Sequence, residues 1–350
     1  VLPVRLEIPS SPSLTSTWVR EGYLLLRGRG VEGVLEGLTD ELNGLLVGND
    51  WNVLQQKFGE GRVTNIVALA KHLAFQSDEE VVITSVVKPG YQAIGSTKFV
   101  QGPRTKVRNE GFSLQLLKLE RYEWVTALEL GAFGRQVTPY ADRYAIFLLL
   151  AGLASTYTVR TRKGEYIFLL CDSTTLSSME GKEELVLIVK ESAKEALRRA
   201  VRELRGWNEE YITLRVVFNE QFINRAKFLE LKSLGFRMVR VRSERHSLKV
   251  YGDTPLMVFL ERDIYRRKEF LGRINNALSR LAAPLSSYLQ GRDQSGDGYH
   301  AFRALKNLYM YYETGAPVFL AQYNREVHAM AEALPQGDAR RRREYLCAVL

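Results

Sequence analysis

Cysteine is nearly missing from this chain, with two residues, Cys171 and Cys347, in 350. That excludes a disulfide framework, and neither lies in a CxxC or Cys/His cluster able to hold zinc. Histidine is scarce too. His72, His246, His300 and His328 fall in different segments, none at the HExxH spacing that sets a metal-bound water beside a base. No GxSxG, Walker A or reactive-cysteine pattern occurs. Asp142, Asp172 and Asp253 stand apart in the sequence and read as caps or surface charges rather than as an acid/base pair. The longest apolar run, "YAIFLLLAGLASTY" from Tyr144 to Tyr157, is too short to span a bilayer and reads as a buried helix. The opening "VLPVRLEIPSSPS" lacks a basic stretch followed by an apolar core, so no secretory signal is expected. Together these absences lead to the expectation of a reducing, cytoplasmic protein with no membrane contact, no metal, no cofactor and no catalytic residue.

What the chain does have is apolar content for a large core, 45% of residues, and a formal net charge of +9. The charge is uneven. Residues 1–100 carry 9 basic and 11 acidic groups, whereas residues 181–350 carry 30 and 21. A basic C-terminal half points to a polyanionic partner.

Patterning predicts an α+β fold: a mixed α/β N-terminal region containing a basic mixed sheet, followed by a C-terminal helical bundle. "PVRLEI" alternates like a short strand, and "YLLLR" reads as a second one leading through glycines into the helix "VEGVLEGLTDELNGLLV". "RVTNIVALAKHLAF" is a helix, "VVITSVV" a strand, and "TYTVRTRKGEYIFLLCD" a hairpin turned at Lys163-Gly164. The apolar stripe Val186, Val189, Ala193, Ala196, Leu197, Ala200 and Leu204 marks an amphipathic helix, "YITLRVVF" reads as a strand, and Asn219 caps the helix after it. From about Ile264 the signals are wholly helical, with short links "GRDQSGDG", "TG" and "PQG" that predict an antiparallel bundle of about four helices. The boundary falls near residues 253–265, dividing an α/β nucleic-acid-facing domain at 1–260 from the bundle at 261–350.

Three motifs bear on function. Gly28, Gly30 and Gly33 have GxGxxG spacing, which after a strand and before a helix would suit a dinucleotide pyrophosphate. Asp50 has the count for the ribose-binding acid but lies in a helix-to-helix link, so a tight glycine turn, near a nucleic-acid backbone, is the preferred reading. "GRDQSGDGYHA" begins like a calcium loop with Asp293, Ser295, Asp297 and Gly298, but Ala304 stands where the bidentate glutamate belongs.

The third is a set of basic clusters. "RMVRVRSERHSLKVYG" reads as a hairpin in which Val239 and Val241 face a core while Arg240 and Arg242 share the opposite face. Arg245 and Lys249 belong to the same stretch. Arg104, Lys106 and Arg108 alternate in a glycine-rich segment that could form a probing finger. Arg160, Arg162 and Lys163 lie at the first hairpin, Arg266, Arg267 and Lys268 at the start of the bundle, and Arg340, Arg341, Arg342 and Arg343 near its end. Arginine predominates, which suits bidentate phosphate contacts, and these residues are the nucleic-acid-binding candidates.

A basic α/β region ending in the helical pair "FRALKNLYMYYETGAPVFLAQYNREV" resembles the large subunit of a type I CRISPR interference complex (Cascade), most of all the short archaeal type I-A form. The resemblance implies a non-catalytic subunit that binds target DNA and guide RNA. It would read the motif flanking the target, help open the duplex, follow the displaced strand, and dock other subunits, including the helicase and nuclease. Two other classes stay open: a nucleotide- or dinucleotide-dependent enzyme using Gly28 to Gly33, and a purely structural assembly subunit whose basic faces meet acidic proteins.

Overall fold

The chain is an α+β protein whose described residues form two four-stranded sheets and, at the C-terminal end, four consecutive helices. The computed structural model describes residues 4–6, 14–74, 81–88, 91–96, 111–122, 139–177, 181–266 and 268–350. In the first sheet β1 (Val4–Leu6) runs parallel to β2 (Val81–Lys88), β2 antiparallel to β3 (Tyr91–Ser96), and β3 parallel to β4 (Pro139–Ala141). Between β1 and β2 come α1 (Leu14–Gly37), α2 (Asp50–Phe58) and α3 (Ile66–Leu73). Next follow α4 (Arg143–Thr156), β5 (Tyr157–Arg160) and β6 (Glu165–Cys171). After the short α5 (Ser173–Ser177) come α6 (Glu183–Glu203), α7 (Glu209–Val217) and α8 (Glu220–Lys227). β7 (Ser233–Glu244) and β8 (Ser247–Phe259) complete the second sheet, in the order β5-β6-β7-β8. The closing helices are α9 (Lys268–Leu289), α10 (Asp297–Thr314), α11 (Pro317–Glu332) and α12 (Ala339–Leu346). Among the described residues no helix is long and apolar enough to cross a membrane.

The chain divides into two compact units, one of residues 1–187 and 235–255, the other of residues 188–234 and 256–350. In the first, α1 and α4 cross at very close range. An added Cβ at Gly22 would lie 1.9 Å from the Leu148 carbonyl oxygen, and one at Gly152 would lie 1.9 Å from that of Trp18. Only hydrogen fits there, so the two backbones touch. Polar side chains beside this approach find partners. Trp18 Nε1 donates to Thr156 Oγ1 at 3.1 Å, and the buried Glu21 accepts the Cys171 amide at 2.6 Å and the Ser155 hydroxyl at 3.4 Å. The Trp18 ring meets Phe168 of β6 edge-on at 5.2 Å.

In the second unit Phe218, Tyr265 and Tyr312 form an aromatic centre, with the Phe218 and Tyr312 rings 5.6 Å apart. Arg262 donates to the Tyr312 and Glu313 carbonyls at the end of α10, satisfying acceptors the helix leaves open. The C-terminal segment is tied back. Asp297 accepts from Tyr345 and Arg341, Tyr323 donates to the Ala348 carbonyl at 2.9 Å, and Asn324 bonds the Leu350 backbone through both its amide atoms.

Two segments read as strands are helical. "YLLLR" lies inside α1, where Leu24, Leu25 and Leu26 are all buried; a short continuous apolar run has no period of its own, and covering by a neighbour settles it as helix. "YITLRVVF" lies largely in α7: Asn208 accepts the Tyr211 amide, and Glu209 and Glu210 fill the first turn, so cap and helix dipole outweigh the β-branched residues. Both hairpins, the Asn219 cap and all four closing helices fall where the pattern put them.

Gly152→Ala should cost about 3 kcal/mol or more in urea unfolding, because the methyl meets backbone. Gly272→Ala, on α9 with nothing near its Cβ, should instead be neutral or stabilise by about 0.5–1 kcal/mol. A second expectation concerns Lys194 of α6, buried beside Glu191 at 3.0 Å, whose ammonium burial pulls down to about 8 from 10.5. The unfolded chain keeps that proton to higher pH, so unfolding free energy should rise from about pH 8 upward. Lys194→Met should remove that slope in melts taken across the same range.

Candidate nucleic-acid interface

The second sheet is antiparallel, with Arg160 opposite Tyr166, Glu165 opposite Arg242, and Ile167 opposite Arg240. This register puts the β5–β6 turn (residues 161–164) and the β7–β8 turn (residues 245–246) at the same end. Two basic clusters 80 residues apart in sequence thus become neighbours. Over residues 157–171 and 235–255 the sheet holds eight lysines and arginines against three acidic residues.

The middle of the basic face is occupied by internal ion pairs. Val239 and Val241 are buried, and Arg240 and Arg242 lie on the opposite face as alternation requires. Both guanidinium groups reach Glu165, at 3.6 and 2.7 Å, and that carboxylate is itself buried. Arg242 also lies 4.5 Å over the Tyr251 ring. Arg237 pairs with Asp253. Lys249 meets Glu244 at 2.7 Å, and the Tyr251 hydroxyl donates to the same carboxylate. Those hydrogen bonds, that of Lys249 first, hold the Glu244 carboxyl below its ordinary range.

The turn end differs. Arg162, Lys163 and Arg245 are exposed and make no ion pair among the described residues. Arg160, also exposed, stacks its guanidinium 5.1 Å from the Tyr166 ring. The turns are set locally: the Thr161 hydroxyl accepts the Glu165 amide, and Gly164 takes φ 80°. Four cations on or next to two tight turns, in no ion pair among the described residues, can meet phosphate oxygens without first breaking an internal pair.

The remaining candidates are placed as follows. Arg104, Lys106 and Arg108 lie outside the described residues, as does Arg267. Arg266 ends a 3-10 turn (Asp263–Arg266), and Lys268 is exposed at the start of α9. On α12 Arg340 pairs with Glu344 at 3.1 Å, Arg341 with Asp297 and Asp338, and Arg342 donates to the Leu334 carbonyl; Arg343 is exposed. This run therefore serves largely to hold α12 in place. Glu165 was not singled out by sequence; the signal available was a carboxylate directly after a turn in an otherwise basic hairpin.

The glycine motif is not a phosphate loop. Gly28, Gly30 and Gly33 sit within α1, with helix rather than a strand directly before them, and Gly30 kinks the helix at φ 67°, ψ −171°. Gly28 gives room to Leu187, whose Cδ1 would lie 2.7 Å from an added Cβ. Asp50 is buried and accepts the amides of Val47 and Gln115. The calcium-like loop is likewise engaged internally, Asp293 accepting the Gly296, Gly298 and Tyr299 amides. Among the described residues no group of three or more His, Cys, Asp or Glu is arranged to hold a metal ion.

The chain is similar to an uncharacterized protein of Archaeoglobus fulgidus, 20% identical over 361 aligned positions that cover 90% of this chain and 89% of that one. No protein-family model matches, and no solved structure does.

Glu165→Gln should destabilise the protein by about 1–3 kcal/mol in chemical unfolding, because two arginines lose their charged acceptor. Adding Arg242→Met to that variant should recover part of the loss in a double-mutant cycle.

Proposed function

We propose that this chain is a non-catalytic, nucleic-acid-binding subunit of a CRISPR RNA-guided interference complex, contacting target DNA and guide RNA and docking helicase and nuclease subunits. The observation that carries the nucleic-acid part is the meeting of two turns that present Arg160, Arg162, Lys163 and Arg245, exposed and unneutralised, at one end of the sheet. Arginines on rigid turns suit a phosphate backbone, and base pairing by a guide leaves to the protein the task of supplying charge. The assembly part rests on the resemblance in element order and on the helical pair α10 and α11. The helix that runs directly into Gly28 weighs against the dinucleotide-dependent alternative.

One observation favours the purely structural reading: Arg237, Arg240, Arg242 and Lys249 already have carboxylate partners. Binding of labelled single-stranded DNA, duplex DNA and RNA across a salt series separates the two. The proposed function expects binding that falls steeply with salt, and a loss of about tenfold or more in an Arg162→Glu/Lys163→Glu/Arg245→Glu variant that melts like the parent chain. No binding to any of the three at low salt would leave the scaffold reading in its place.

A further inference from the structure

A second basic site lies on the helical pair of the other unit. Between α10 and α11 a groove of about 330 Å³ is lined by Arg303, Lys306, Asn307, Gln322, Arg325 and Glu326. Three cations and two side-chain amides thus surround one carboxylate. That carboxylate is buried and turned to its own partners: Glu326 takes Arg303 Nη2 at 3.0 Å on Oε1 and His300 Nδ1 at 2.9 Å on Oε2. It fixes Arg303 at the groove wall without reaching the other two cations. Lys306 and Arg325 are exposed and make no ion pair among the described residues; Lys306 Nζ rests 4.8 Å from the Phe302 ring.

We propose that this groove binds a doubly charged phosphoryl group. The lining's Arg303, Lys306 and Arg325 against Glu326 leave two formal positive charges uncompensated, matching a phosphate monoester near pH 7 better than the single charge of a phosphodiester. The amides of Asn307 and Gln322 add neutral donors for the remaining oxygens. The volume, at the low end for ligand sites, suits a compact anion rather than a bulky cofactor. Two sources share this chemistry, a free phosphomonoester and the 5′ end of a polynucleotide. The site is separate from the strand turns and does not depend on them.

Calorimetric titration of the full chain with inorganic phosphate, and with a short DNA strand bearing either a 5′ phosphate or a 5′ hydroxyl, tests this in phosphate-free buffer. Inorganic phosphate should bind, and Lys306→Gln/Arg325→Gln should weaken it about tenfold or more while melting like the parent. Gln322→Glu, which places a carboxylate in the groove at an exposed position, should weaken it too. An affinity gain from the 5′ phosphate that disappears in these variants identifies a polynucleotide end; phosphate binding without that gain identifies a free phosphomonoester. No binding of either phosphate at millimolar concentration, or affinity unchanged in both variants, overturns the proposal. The Arg162→Glu/Lys163→Glu/Arg245→Glu variant should leave phosphate affinity intact, so failure at the turns and failure at the groove are told apart.

Discussion

The contact between the backbones of α1 and α4 at Gly22 and Gly152 is the constraint on which the rest of the first unit depends. α4 passes into β5 without a linker, so the placing of α4 also sets the first strand of the second sheet. Glu21, one residue before the α1 glycine, accepts the last amide of β6 and thereby aligns β6 with the same crossing. Register then propagates from β6 to β7 by backbone pairing. The position of four cations at the turn end thus follows from two residues without side chains, one of which, Gly22, lies more than a hundred positions away from them in sequence. Such close packing tolerates no added methyl, because the opposing atoms are carbonyl oxygens that cannot shift independently of their helix.

Charge on the sheet is handled in two ways, and the difference is one of desolvation. Arg240 and Arg242 are partly buried, with side-chain exposures of 16% and 33%, and there an unpaired guanidinium would lose hydration for nothing. A single carboxylate from the neighbouring strand serves both. Arg162, Lys163 and Arg245 remain in water, need no partner to be stable, and add nothing to the sheet's own cohesion. A positive field from unneutralised surface residues is available to a ligand, whereas one already closed on internal carboxylates is largely cancelled.

Much of the architecture was legible in the sequence because local signals and tertiary context agree over most of it. The hairpin at Lys163-Gly164, the strands around Arg240, the Asn219 cap and the four closing helices each carry a period, a cap or a turn residue of their own. Leu24 to Leu26 do not: three adjacent leucines suit a buried strand or a buried helix equally, and only burial against α4 decides. The glycines at 28, 30 and 33 misled for the same reason, since their spacing implies a phosphate turn only when a strand precedes it. In the candidate site the sequence named the basic clusters without ranking them. Ranking requires knowing that Glu165 faces Arg240 and Arg242, and that is a matter of strand register, set by contacts distant in the chain.

The shared carboxylate has an evolutionary consequence. Glu165, Arg240 and Arg242 form one linked unit across two strands, in which loss of the carboxylate leaves two partly buried guanidinium groups without their shared acceptor and loss of both arginines strands a buried carboxylate. Among descendants of this chain the three should drift together or not at all. The turn residues are under no such bond. Arg162, Lys163 and Arg245 can be exchanged singly, and the charge presented at that end of the sheet can be retuned from one lineage to the next while the strands beneath keep their register.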